Sequence, residues 1–202
     1  NGIIPAGQGF FVQTTTASPS LTIPKQARVH SSQAYHGPSG TNEEGPPHAV
    51  FDIYFGDETD QTWITFPEIC SDDYDSGWDV TKKMGDGTAP QLFFNHNSYN
   101  LSIAAVAPLN ANSFIVSLQY EARKLGNHEL ILSGQHDLDE YDIFLEDMEL
   151  GEMHDLKLSP AYTFYSNSFN DPDRFLIHFS AMATGLQQEE IDKSVLIYSW
   201  NK

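Results

Sequence analysis

Alternation at every second residue constrains this chain more than any other feature. In Ser113–Glu121, Phe114, Val116, Leu118 and Tyr120 fall on one side, while Ser117, Gln119 and Glu121 fall on the other. Side chains of a strand point to opposite faces in turn, so such a run forms a half-buried β-strand. Residues 174–180 repeat the pattern with Phe175, Ile177 and Phe179 inward, as do residues 49–55 with Phe51, Ile53 and Phe55 inward and Asp52 outward. Shorter candidates are residues 9–14, 62–66, 91–94, 101–105, 129–133, 154–158, 162–165 and 194–200. Residues 141–148 fit either an amphipathic helix or a strand. The strand is preferred, turning at Gly151 and returning through 154–158.

Turn chemistry separates these runs at short intervals: Phe55-Gly56-Asp57, Gly85-Asp86-Gly87, Leu125-Gly126-Asn127, Leu150-Gly151 and Asn170-Asp171-Pro172. Closely spaced short strands imply hairpins and antiparallel pairing, because parallel strands need long crossovers. The expected fold class is all-β, an antiparallel β-sandwich of jelly-roll-like form. The 13 Phe, 9 Tyr and 3 Trp supply a sizeable core. Residues 30–47, rich in Ser, Gly, Pro, Asn and His, read as a long loop. Residues 1–181 are expected to form the sandwich module, 182–193 a linker, and 194–202 the start of a following domain. The opening Asn-Gly-Ile-Ile-Pro is neither an initiator Met nor a signal peptide, so the chain reads as a piece of something longer.

Ten Lys and Arg stand against 28 Asp and Glu, a formal net charge of −18. Nucleic acid and anionic lipid are repelled by such a surface. Without an apolar run of about 18 residues, no helical membrane insertion is expected. Cys70 is the one cysteine, so no disulfide forms within the chain.

Several stretches, in order, carry a resemblance. They are Ile4-Pro5-Ala6-Gly7-Gln8-Gly9-Phe10-Phe11-Val12, Tyr74-Asp75-Ser76-Gly77-Trp78-Asp79-Val80-Thr81-Lys82-Lys83 with Ala89-Pro90-Gln91-Leu92, Leu145-Glu146-Asp147, His154-Asp155-Leu156, Pro160-Ala161-Tyr162-Thr163-Phe164 and Asp171-Pro172-Asp173-Arg174-Phe175. Together, over most of residues 4–180, they resemble the C-terminal β-sandwich region of large secreted Bacteroidetes proteins exported by the type IX secretion system. Residues 195–200 look like the first strand of the sorting domain that follows in such proteins. The resemblance implies that the N-terminal strands of the module are missing from this chain. It also implies a secreted or cell-surface, non-enzymatic accessory module, adhesin-like or structural. Its partners would be the secretion machinery, through the adjoining sorting domain, and a surface glycan or protein ligand. It supplies no catalytic residues.

The chemistry-bearing residues support no enzyme. Gly37-Pro38-Ser39-Gly40 lacks nucleophile-elbow spacing, and His36 beside Ser39 makes no triad by sequence alone. A loop zinc site from His30, His36 and His48 is weaker than solvated histidines. Cys70 is followed by Asp72 and Asp73, the wrong charge for a reactive thiolate. Carboxylates are abundant, but nothing singles out a catalytic pair.

Asp73, Asp75 and Asp79, with Gly77 between them, resemble the first half of a calcium loop. Residue 84, where the bidentate Glu would fall, is Met84. A plain turn capped by Asx side chains is preferred, and no cofactor is expected unless this loop takes calcium. Trp63, Trp78 and Trp200 could form a sugar-stacking platform, with burial in the core or on a hydrophobic sheet face as the simpler alternative. That platform, with calcium in the structure, makes a carbohydrate-binding module attached to an upstream hydrolase the alternative function. Arg174, between Asp173 and Phe175, is expected to form an ion pair that fixes the turn into its strand.

Overall fold

The computed structural model describes residues 18, 20–27, 45–85, 87–109, 113–167 and 173–182. The chain divides into two compact units, Asn1–Glu44 and Gly45–Lys202. In the first, Lys25–Ala27 form one 3-10 turn. In the second, eleven strands are described: β1 His48–Phe55, β2 Glu58–Thr65, β3 Val80–Thr81, β4 Gln91–His96, β5 Tyr99–Ala105, β6 Ser113–Glu121, β7 Gly126–His136, β8 Tyr141–Asp147, β9 Glu152–Asp155, β10 Ala161–Ser166 and β11 Phe175–Ala181. The described residues contain no α-helix. Residues 141–147 are the strand, not the helix, and turn at Gly151 into β9 as expected. The proposed strands 9–14 and 194–200, the linker, and most of the 30–47 loop lie outside the described residues.

The strands join in one mixed sheet, ordered β10-β7-β1-β2-β5-β4-β6-β11-β8-β9 with β3 beside β5, nearly closed into a barrel. The wholly antiparallel expectation meets one exception, since β2 and β5 run parallel through Trp63–Ile103, Ile64–Ala104 and Thr65–Ala105. The crossover between them carries β3 and β4, which supplies the length that parallel pairing requires. β5 also breaks its pleat. Leu101 and Ala104 are both in the core, so the residues between them bulge and Ile103 turns to the outer face.

Pleat geometry places the core as the alternation predicts. Val116, Leu118, Phe175, Ile177 and Phe179 are buried, and β6 and β11 pair with Leu118 opposite Phe175 and Val116 opposite Ile177. Phe114 is only partly buried, packing against Phe66 and Phe179 at one end of the barrel. Rings from distant strands interlock inside: Phe51 of β1 meets Phe94 of β4 at 5.8 Å, and Phe164 of β10 meets Phe175 of β11 at 4.8 Å. Each such ring contributes about 1.5–3 kcal/mol through burial.

Three assignments need correction. Asp52 does face outward, but it is buried, its carboxylate taking bonds from the Gln61 amide (2.8 Å) and the Tyr54 hydroxyl (3.3 Å). Phe55 is half-buried at the sheet's end, its ring 4.8 Å from that of His128. Residues 156–158 form a turn after β9 rather than its continuation, and Leu158 is 86% exposed.

β9 and β10 are consecutive in sequence yet lie at opposite ends of the sheet path. Side chains close the seam that remains. Arg174, at the mouth of β11, donates Nε to Asp147 Oδ1 (3.0 Å) and Nη2 to Oδ2 (2.7 Å). The Tyr162 hydroxyl of β10 donates to the same Oδ2 at 2.9 Å. Backbone N–H groups of Glu149 and Leu150 fill Oδ1, and Arg174 Nη1 reaches the Tyr165 carbonyl of β10 at 3.1 Å. Both charged side chains are almost fully buried, and the guanidinium lies 4.7 Å from the Phe164 centroid. Among the described residues, Arg174 makes its ion pairs with Asp147 and Glu149, from the β8–β9 hairpin.

Burial alone would push the Asp147 carboxyl up, but the hydrogen bonds from Arg174 and Tyr162 and the guanidinium charge hold it below the ordinary carboxylate range. Burial, followed by the Asp147 carboxylate, pushes the Tyr162 phenol well above its ordinary value.

Two predictions follow from this packing. Leu118→Ala should cost about 2–5 kcal/mol in denaturant unfolding, through lost transfer energy and a cavity. Gln119→Ala, on the outer face, should cost far less, and equal costs would contradict the inward placement of Leu118. Asp147→Asn should cost about 3–5 kcal/mol at neutral pH, because it leaves the guanidinium buried without its counter-charge. Asp147 has a lowered folded pKa, so its contribution is complete above the unfolded carboxylate range and lost as pH falls through the folded value. Wild-type stability should therefore drop on acidification more steeply than that of Asp147→Asn, as read from melting curves across the acid range.

Candidate functional site

The loop from Cys70 to Asp79 holds the residues that sequence singled out for metal chemistry. It runs from the end of β2 to β3, and its own carboxylates shape it. Asp79 is buried, and its Oδ1 accepts the Ala105 N–H of β5 at 2.8 Å while Oδ2 accepts the Asp75 N–H at 2.7 Å. Asp75 Oδ2 accepts the Ser71 N–H (2.7 Å) and hydroxyl (3.2 Å), and its carbonyl accepts the Trp78 and Asp79 N–H groups. The turn this makes needs Gly77, whose φ of 106° suits a residue without a side chain. Asp73 uses its backbone instead, donating N–H to the Ser71 hydroxyl at 3.2 Å.

The three aspartates therefore sit on one loop, and two of them spend carboxylate oxygens on backbone N–H groups. Among the described residues, no group of three or more His, Cys, Asp or Glu is arranged to hold a metal ion. Cys70 is buried beneath this loop. Burial, then the charges of Asp75 and Asp79, push its thiol up, the opposite of what activates a cysteine as a thiolate.

Aromatic residues stand on the outer surface close by. Trp63 of β2 is 36% exposed, so it belongs to a sheet face and not to the core. Its ring stacks on His48 of β1 (5.2 Å, 26°), and its Nε1 donates to Gln61 Oε1 at 2.8 Å. His48 in turn meets His136 of β7 at 5.5 Å. Strand register sets Ile103 and Val80 beside Trp63 on the other side, so one row crosses β3, β5, β2, β1 and β7. Gly134 lies opposite Val50 in that row, where an added Cβ would come within 3.5 Å of the valine.

Trp78 is 38% exposed on the loop. Tyr74 and Tyr99 are partly exposed and lie 4.6 Å apart, where the loop meets the β4–β5 hairpin. That hairpin is pinned to the loop by His96 Nε2 against the Asp72 carbonyl at 2.7 Å, with the Asn97 amide donating to the same oxygen.

Of the two readings for the tryptophans, sequence favours core burial or a sheet face over a platform; Trp63 lies on a sheet face and Trp78 on the loop, both part-exposed. Trp200, His30, His36 and Ser39 lie outside the described residues. Sequence reasoning missed His48, His136, Tyr74 and Tyr99 as members of an aromatic surface. Each is one residue in a different segment, and only strand register brings them together.

The loop geometry makes a prediction. Asp79→Ala should cost about 1–3 kcal/mol, the penalty of stranding two N–H groups. The loss should be the same in excess calcium and in chelator, read as the shift in melting temperature. A loss seen only with calcium present would instead mark the loop as a cation site, through mass action.

A family model described as a domain of unknown function (DUF8693) matches residues 1–179. No curated protein and no solved structure matches the chain.

Proposed function

The chain belongs to the DUF8693 family, and we propose that it is a non-catalytic accessory module, adhesin-like or structural, of a secreted or cell-surface protein exported by the type IX route. One observation carries the non-catalytic reading. Among the described residues, the buried Asp147, Asp79 and Cys70 are engaged or shielded by the fold. Asp147 accepts bonds from Arg174, Tyr162 and two backbone N–H groups, Asp79 accepts two more, and the buried Cys70 thiol is pushed up by burial and by Asp75 and Asp79. A catalytic acid or nucleophile needs a reactive form free to meet substrate.

We read the nearly closed sheet as a flattened, jelly-roll-like sandwich, since rings from its two halves meet across one core. The exported, surface-bound context rests on the sequence resemblance and on the acidic charge, which favours solubility.

A carbohydrate-binding module is the second reading. The half-exposed Trp63, flanked by His48 and Gln61, supports it, because an aromatic face on a sheet matches the C–H face of a pyranose.

Affinity electrophoresis through neutral polysaccharides, beside turnover assays on glycoside, ester and peptide substrates, separates the readings. The expected result is no turnover and the same mobility for wild type and Trp63→Ala. Retardation that Trp63→Ala abolishes would install the carbohydrate reading. Turnover abolished by a point substitution within the chain would overturn both.

A further inference from the structure

The outer surface of the other half of the sheet is unlike the aromatic row. β6, β11, β8 and β9 lie side by side, and register fixes which of their residues are neighbours. One outer row runs Ile115, His178, Phe144, Asp155, and the next runs Ser117, Leu176, Glu146, Met153. Ile115 is 53% exposed and Met153 55%, while Leu176 and Phe144 are half-buried between them. Four large apolar side chains therefore share one outer face with Glu146 and Asp155. Asp142 lies in the next row, opposite Ser180. His178 Nε2 meets Glu146 Oε2 at 2.7 Å within this face. No Lys or Arg occupies an outward position on any of the four strands.

From this face we infer a docking surface for a cationic polypeptide segment whose apolar residues alternate with Lys or Arg. Charge complementarity selects the occupant. The chain carries a net −18, and the face adds acids with no Lys or Arg among them, His178 beside Glu146 being its one basic side chain. A second copy would set acid against acid, which is destabilising, and an anionic lipid or nucleic acid is repelled in the same way. Size excludes a small cation. Four strands about 4.8 Å apart spread the apolar side chains over roughly 15 Å, a span that a short polypeptide segment covers. The apolar residues would supply contact area and the acids the orientation, with methionine adapting its shape to the partner.

The test uses the full chain and three labelled probes: an alternating Leu/Lys peptide, its Leu/Glu counterpart and an oligolysine of equal charge. Fluorescence anisotropy at two salt concentrations should show saturable, salt-sensitive binding of the Leu/Lys peptide alone. The double variant Ile115→Ser/Met153→Ser changes two half-exposed residues, so it should keep the wild-type melting curve while weakening that binding about tenfold or more. Trp63→Ser, on the other half of the sheet, should leave it unchanged. Four results would overturn the inference: no binding of the Leu/Lys peptide, oligolysine binding as tightly, affinity unchanged in the double variant, or a sedimentation dimer that the double variant dissolves.

Discussion

A carboxylate and a guanidinium, Asp147 and Arg174, share the interior of this protein, and the closure of the sheet depends on their pairing. A sheet ten strands along its path must curl to bury one face, and curling brings its ends together. Here the ends are β9 and β10. Among the described residues no backbone ladder joins β9 to β10, and side chains bridge the seam. Asp147 comes from the end of β8, Arg174 from the mouth of β11 and Tyr162 from β10. One carboxylate thereby ties three strands. Burying two charges is expensive, and it succeeds because the lone pairs of Asp147 are filled by the guanidinium, the phenol and two backbone N–H groups. The packing of Phe164 and Phe175 against the guanidinium excludes water from the same place.

The same economy of cations shapes the surface. In the sheet unit, Lys82 pairs with Asp60, Lys124 with Glu58, and Arg123 with Glu121, while the Lys157 ammonium donates to the carbonyls of Leu138, Asp139 and Tyr141. Cations are spent on holding turns and strand ends. The surface carries far more acids than cations, and two different faces interrupt it. One is aromatic, built around Trp63 and His48. The other is aliphatic and acidic, running from Ile115 to Met153. A single sheet thus offers two surfaces of distinct chemistry without an added domain.

How much of this could be read from sequence depends on distance along the chain. The inward sets of β6 and β11 were legible because a pleat writes its own period, as Val116, Leu118, Phe175 and Ile177 demonstrate. The β8–β9 hairpin was legible from Gly151, whose φ of 68° fits the turn it marks. Arg174 was read with its neighbours, since nothing local indicates a partner 27 residues away. The parallel contact of β2 with β5, and the bulge that turns Ile103 outward, leave no periodic trace. In the loop, Asp73, Asp75 and Asp79 have the spacing of ligands. The same spacing also serves a turn that feeds carboxylates to its own backbone, and only the positions of Ala105 N–H and Asp75 N–H distinguish the two.

The pairing of β1 bears on how the molecule comes into being. β1 is flanked by β2, its immediate successor, and by β7, which follows six strands later in sequence. During synthesis the β1–β2 hairpin can form at once, but one edge of β1 stays open until β7 has been made. An open edge of apolar pleat invites pairing with a neighbouring chain. Contacts so far apart in sequence also assemble slowly. The interval between β2 and β7 thus leaves an apolar edge of β1 unpaired. Conditions that shorten it, or a chaperone that shields Phe51 and Ile53 during it, would raise the yield of folded protein without altering the finished structure.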